Sequence, residues 1–171
     1  MTKLEKTTHI FLIAVCIVSL VVLVKRGLLG PSGPSNGAPQ SESSVVGKKE
    51  ASVPTAAWKA SRRNVVMVLS SQCHYCAASI PLYRQLSSLR RQRGSGLSLL
   101  VVGREDPRSL RDFLTRNGVA TDNVLQLPAG FVGVDFTPAL FIVDSNGVVQ
   151  KAFFGKLDSS REAKLLDVLG V

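Results

Sequence analysis

Two cysteines, Cys73 and Cys76, are the residues of this chain best suited to do chemistry. Two thiols separated by two residues, here His74 and Tyr75, can close a disulfide and open it again. A structural zinc site is the competing interpretation, but it needs about four ligands. The chain's other cysteine and other histidine lie far away, before residue 17. We therefore interpret the pair as a redox centre, and we expect no metal and no cofactor.

The elements around the pair give its two thiols different tasks. An apolar, β-branched run over 64–70 predicts a buried strand, and 72–93 predicts a helix that begins beside Cys73. A helix amino terminus favours thiolate, so Cys73 is the candidate nucleophile. Cys76 follows one helical turn later and is the candidate resolving thiol, which attacks the mixed disulfide that Cys73 forms.

The rest of the carboxy-terminal region alternates between strand and helix signals. This order predicts an α/β domain with a central mixed sheet and helices on both faces. Pro81 should kink the first helix. After that helix, the predicted strands cover 97–102, 124–127, 139–143 and 148–154, and the predicted helices cover 106–117 and 158–169.

Two motifs in this order resemble the thioredoxin superfamily. The first is the Cys-x-x-Cys pair after a strand, with Pro81 five residues beyond the second cysteine. The second is Thr137-Pro138 directly before a strand and hairpin. The resemblance implies a thioredoxin-like fold, a cis peptide bond at Pro138, and a loop of Thr137 and Pro138 that faces the cysteines and docks an extended substrate segment.

The sequence also departs from that family's usual pattern. Thioredoxins commonly carry tryptophan just before the first cysteine and a buried acid six residues before it, whereas this chain has Gln72 and Met67. Asp122 and Asp135 are the obvious acids of the variable segment, the stretch between Asn117 and Thr137, and the sequence pattern does not show whether either lies near Cys76. His74 and Tyr75 could modulate the redox pair, or they could be exposed residues that shape the docking surface.

The amino-terminal region predicts an attachment to a membrane. The apolar run from Ile10 to Val24, extended to 18 residues by 7–9, would span about 27 Å as a helix, against about 30 Å of bilayer hydrocarbon. No small-x-small cleavage site follows it. We predict an anchor with its flanks over 1–26, a flexible Gly/Pro/Ser-rich linker over 27–57, and the thioredoxin-like domain over 58–171. A single pass with a cytoplasmic amino terminus would place that domain in the periplasm or outside the cell, where disulfides persist.

These features together resemble the membrane-tethered TlpA- and ResA-like proteins. The resemblance implies an enzyme, a thiol–disulfide oxidoreductase that reduces protein disulfides, as in cytochrome c biogenesis, and takes electrons from a membrane or extracytoplasmic partner. Copper delivery on the same fold and a redox-inert interaction module are the alternatives. The net charge of +9 also suits nucleic acid, but no recognition motif accompanies it, so we expect lipid and protein partners only.

Overall fold

A computed structural model describes residues 40–58, 63–127 and 129–171, and this part of the chain contains five strands and four α-helices. The strands begin and end close to the predicted positions, because turn residues bound each of them. The strands are β1 (Arg63–Val68), β2 (Leu97–Gly103), β3 (Asn123–Gln126), β4 (Ala139–Val143) and β5 (Val149–Phe154). The α-helices are α1 (His74–Ala78), α2 (Ile80–Arg93), α3 (Pro107–Arg116) and α4 (Ser159–Leu169).

The sheet is mixed, as predicted, with strand order β3-β2-β1-β4-β5. β2 lies parallel to both β1 and β3, whereas β4 is antiparallel to β1 and β5. The predicted helix over 72–93 is two helices separated at Ser79, with Pro81 in the first turn of the second. Proline is tolerated there because a first-turn N–H has no partner within the helix.

The two faces of the sheet are covered in different ways. Alternate strand residues such as Val65, Met67 and Leu99 form one apolar cluster with buried side chains of α2, α3 and α4. The side chains between them, such as Val66 and Phe141, form a second cluster, to which no α-helix of the described residues contributes. The sheet is flanked by helices, as predicted, and those of the described residues pack in the first cluster.

Residues 40–58 cover part of the second face of the sheet. We expected a linker as far as residue 57, but Val45 and Val53 are buried against the sheet beside Trp58. In addition, the Val149 N–H donates a backbone hydrogen bond to the Lys48 carbonyl, and the Gly47 N–H donates one to the Val149 carbonyl. The compact unit therefore begins at Gln40, because a few well-spaced apolar residues bury enough surface to hold this polar segment in place.

The predicted anchor and the first part of the linker, residues 1–39, lie outside the described residues. Within the residues that are described, no helix is both long enough and apolar enough to cross a bilayer.

Candidate functional site

The two cysteines lie where β1 passes into α1. Both are free thiols; Cys73 is half-buried and Cys76 is fully buried. Cys73 is the residue that caps α1, and its Sγ accepts a hydrogen bond of 3.2 Å from the backbone N–H of Cys76. The cap therefore fixes the Cys73 sulfur at the surface, with Cys76 directly behind it in the core.

The loop before β4 faces this cap. The Thr137–Pro138 peptide bond is cis, which confirms the prediction for Pro138. The Cys73 thiol donates a 3.4 Å hydrogen bond to the Thr137 carbonyl. The two loops meet because β4 is antiparallel to β1, and the register pairs Ala139 with Val68 at the carboxyl end of β1.

The two thiols differ in acidity. Partial burial opposes ionisation of Cys73, but hydrogen bonds from the Thr137 and Cys76 side chains and from backbone N–H groups prevail, so the pKa of Cys73 lies below its usual value. Burial and, after it, the hydrogen bond with the Cys73 side chain raise the pKa of Cys76 to about 12. At neutral pH the outer sulfur is therefore the better nucleophile and the inner one stays a thiol.

The surroundings of Cys76 are apolar. Met67, at the position where the related pattern has an acid, is fully buried in the same cluster as Cys76. Neither acid of the variable segment fills the gap. Asp122 pairs with Arg90 at 2.8 Å and accepts from the Leu99 N–H, which ties α2 to β2.

His74 and Tyr75 lie on the outer side of the site. Both side chains are exposed, Tyr75 by 60% of its surface, and their rings meet edge to face with centroids 5.7 Å apart. This position suits the docking-surface interpretation. Their influence on the redox pair stays a prediction.

The sequence reading missed an acid beside the turn that carries the cysteines. Glu105 accepts hydrogen bonds from the backbone N–H and the hydroxyl of Ser71, at 2.6 and 2.5 Å. It follows the end of β2, and β2 is parallel to β1, so their carboxyl ends share one edge of the sheet. The parallel pairing of β1 and β2 was therefore the feature from which Glu105 could have been predicted.

A cleft of about 240 Å³ lies between this edge and the docking loop. Its wall is largely apolar, and Arg104 and Asp135 form an ion pair at its rim. Thr137 belongs to the lining, so the cleft is continuous with the loop that faces Cys73. An extended polypeptide lying on this loop could place one side chain there. The lining residues are Val68, Leu69, Ser70, Val102, Gly103, Arg104, Glu105, Leu127, Gly130, Val134, Asp135 and Thr137.

Among the described residues, no three His, Cys, Asp or Glu side chains are grouped so that they could hold a metal ion. Within the described residues, the site consists of two thiols, backbone N–H groups and a carbonyl, and these groups suit disulfide exchange.

Solved structures with the same architecture decide the fold. A thiol-disulfide isomerase from Corynebacterium glutamicum matches with a TM-score of 0.51 and 18% identity, over 78% of this chain and 97% of that one. A DsbF homologue from Corynebacterium diphtheriae matches with a TM-score of 0.55 and 15% identity, over 81% and 97%. The chain has a thioredoxin-like fold.

A third structure agrees with this assignment. It is a candidate thiol:disulfide interchange protein DsbE from Chlorobium tepidum, with a TM-score of 0.51 and 23% identity over 66% of this chain and 81% of that one. No family model matches the chain, and no curated protein matches it. At these identities the thioredoxin-like fold is what the comparisons establish, and the activity has to be argued from the site.

Proposed function

We propose that this protein is a thiol–disulfide oxidoreductase that exchanges disulfides with protein substrates through Cys73 and Cys76. The observation that carries the proposal is the placement of the Cys73 sulfur between the Cys76 N–H and the Thr137 carbonyl, with its pKa lowered. Two of the solved structures described above, from Chlorobium tepidum and Corynebacterium glutamicum, bear names of thiol–disulfide enzymes, and they share this fold.

The site performs the exchange in two balanced steps. The Cys73 thiolate attacks one sulfur of a client disulfide; a client thiolate leaves, and a mixed disulfide joins Cys73 to the client. Cys76 then loses its proton and attacks the Cys73 sulfur. The second client thiolate leaves with a proton, and the Cys73–Cys76 disulfide remains. The client gains two electrons and the protein loses two.

Docking would use the loop of Thr137 and Pro138. An extended client segment pairs with the Thr137 backbone, so that its disulfide lies over Cys73. Tyr75, beside the cysteines in sequence, and Phe136, beside Thr137, are exposed and offer apolar contacts to such a segment. Backbone pairing is independent of client sequence, whereas these side chains and the neighbouring cleft favour some clients over others.

We further propose that the protein works as a reductant. The resemblance to TlpA- and ResA-like proteins supports this direction, including a client in cytochrome c biogenesis. An extracytoplasmic or membrane dithiol donor must then return two electrons to the Cys73–Cys76 disulfide after each cycle. The equilibrium potential against glutathione tests the direction: a reductant should lie below about −220 mV, and a potential near −120 mV would make it an oxidant.

The proposed location is extracytoplasmic, with residues 1–26 as a single-pass anchor in contact with lipid and the amino terminus in the cytoplasm. The apolar run from Ile10 to Val24 and the oxidising compartment that a usable disulfide requires support this location. Protease added to intact cells or spheroplasts should remove the carboxy-terminal domain. A domain that is degraded only after lysis would contradict the proposed orientation.

Trapping provides the decisive test of the activity. In full-length chain carrying Cys16→Ser, Cys76→Ser should accumulate mixed disulfides with clients, because Cys73 still attacks but nothing resolves the product. The matched control is Cys73→Ser, which keeps one thiol but should trap nothing. A wild-type pair that stays wholly oxidised or wholly reduced across a redox series that extends from dithiothreitol to oxidised glutathione would refute the activity.

A further inference from the structure

A buried hydroxyl near the cysteines has no partner. Tyr83 in α2 is fully buried in the apolar cluster that also contains Cys76. Among the buried side-chain nitrogen and oxygen atoms of the described residues, the Tyr83 hydroxyl oxygen is the one without a hydrogen bond. Leaving such a group unsatisfied costs stability, and in folded proteins it calls for an explanation.

Helix geometry places this hydroxyl on the side of Cys76. Backbone hydrogen bonds from Tyr83 N to Ser79 O and from Ser79 N to Cys76 O carry the helical path across the break between α1 and α2. Seven residues make about two turns, so Cys76 and Tyr83 share one face. Long aromatic side chains in a helix point back toward its amino terminus, which for Tyr83 is the direction of Cys76.

The hydroxyl of Ser79, which lies between Cys76 and Tyr83 on the same face, has no free proton for Cys76. Its Oγ donates a 2.8 Å hydrogen bond to the Tyr75 carbonyl. Met67 contributes no donor. The resolving thiol must nevertheless become a thiolate in this apolar setting before it can attack.

We propose that the Tyr83 hydroxyl is the hydrogen-bond donor that stabilises the Cys76 thiolate during the resolving step. The hydrogen bond is absent while Cys76 is a thiol, and it forms as the sulfur acquires charge. The Cys76 proton goes to the departing client thiolate, and Tyr83 keeps its own proton throughout. This inference rests on the proposed exchange activity and deepens it.

The titration behaviour of Tyr83 agrees with a donor role. Burial, followed by the Coulombic interactions with Cys76 and Cys73, raises the pKa of Tyr83 well above its usual value and outweighs the lowering effect of the neighbouring Ser79 side chain. The phenol therefore remains protonated while Cys76 ionises. It can donate a hydrogen bond to the Cys76 sulfur, but it does not take up the proton that Cys76 loses.

The test separates the two steps by using a small chromogenic disulfide, dithiobisnitrobenzoate, on reduced full-length chain carrying Cys16→Ser. The attack by Cys73 releases one thionitrobenzoate in a phase whose rate depends on reagent concentration. The attack by Cys76 releases the second in a phase independent of it. Tyr83→Phe should leave the first phase within about twofold of wild type and slow the second about tenfold or more, the usual effect of losing a hydrogen bond to a charged group.

Two measurements distinguish this role from a structural one. Phenylalanine keeps the ring and removes the unsatisfied hydroxyl, so Tyr83→Phe should be at least as resistant to urea as the parent. The control variant Ser87→Ala removes another buried hydroxyl of α2, one that accepts a 3.0 Å hydrogen bond from the Ala120 N–H. It should lose stability and keep both phases.

The outcomes are distinct. An unchanged second phase in Tyr83→Phe overturns the role of Tyr83 and leaves the exchange activity intact. A first phase slowed as much as the second also overturns it, because the effect would then not be specific to Cys76. If wild-type chain releases only one thionitrobenzoate per molecule, that result contradicts the exchange activity itself.

Discussion

The difference in acidity between the two thiols predicts a large difference in alkylation rate. The perturbation is treatment of the reduced chain with iodoacetamide between pH 5 and 10, with each cysteine followed separately by peptide mass spectrometry. With a pKa of about 12, Cys76 at pH 7 is thiolate in about 1 molecule in 10⁵. Cys73, with a pKa below the ordinary 9.0, is thiolate in more than about 1 molecule in 100 at the same pH.

Thiolate fraction alone therefore separates the two rates by more than about a thousandfold, and burial of Cys76 widens the gap. Because a thiol of high pKa is intrinsically more nucleophilic, part of this ratio is offset, and we expect a measured ratio of at least about 100. The midpoint of the Cys73 profile should lie below pH 9. Equal alkylation of both cysteines at pH 7, or a Cys73 midpoint at or above that of a free thiol, would refute the assignment of nucleophile and resolving thiol.

Three further predictions concern stability. The pKa of Cys76 is raised from 9.0 to about 12 in the folded chain. Its contribution to the free energy of unfolding is therefore complete below pH 9 and should fall by about 1.4 kcal/mol per pH unit between pH 9 and pH 12. Urea unfolding of the reduced chain, compared with Cys76→Ala at each pH, measures this fall. Trp58→Ala should cost about 3–5 kcal/mol in urea unfolding, because Trp58 packs on Phe131 in the second cluster; a cost below 1 kcal/mol would contradict that packing. Glu50→Gln should cost about 1–3 kcal/mol in the same assay, since the Glu50 carboxylate accepts 2.6 Å hydrogen bonds from the Ser52 and Val132 N–H groups and an amide keeps one oxygen only.

The strands, the helices and the docking loop were accessible from sequence because each depends on a local pattern. β4 is an uninterrupted apolar run, β1 is apolar from Val65 to Val68, and Asp106 and Pro107 mark the start of α3. Such local patterns predict an element without knowledge of its tertiary contacts. The position of the break before α2 was less accessible, because Pro81 is compatible with a kink as well as with a new first turn.

The segment over 40–58 shows what local patterns cannot reveal. Its composition is that of a linker, and its order comes from long-range contacts made by a few residues. Glu42 accepts from the Phe154 N–H at 2.8 Å and pairs with Arg161. Glu50 reaches Val132, 82 positions away in sequence. Glu105 was missed for the same reason, since its relation to Ser71 depends on which strands are neighbours.

The two faces of the sheet contribute different surroundings to the site. The second face carries Gly130 and Val134, which line the cleft beside Thr137, and Glu50 holds the same loop through the Val132 N–H. Among the described residues, the first face surrounds Cys76 with apolar side chains and places no buried carboxylate beside it. Charge at the inner sulfur is then stabilised by hydrogen bonds. Cys73 already accepts one from the Cys76 N–H, whereas the bond that we propose from Tyr83 reaches Cys76 only as that sulfur ionises. The formation of the mixed disulfide should therefore be the faster step, and its resolution should determine how long a client stays bound.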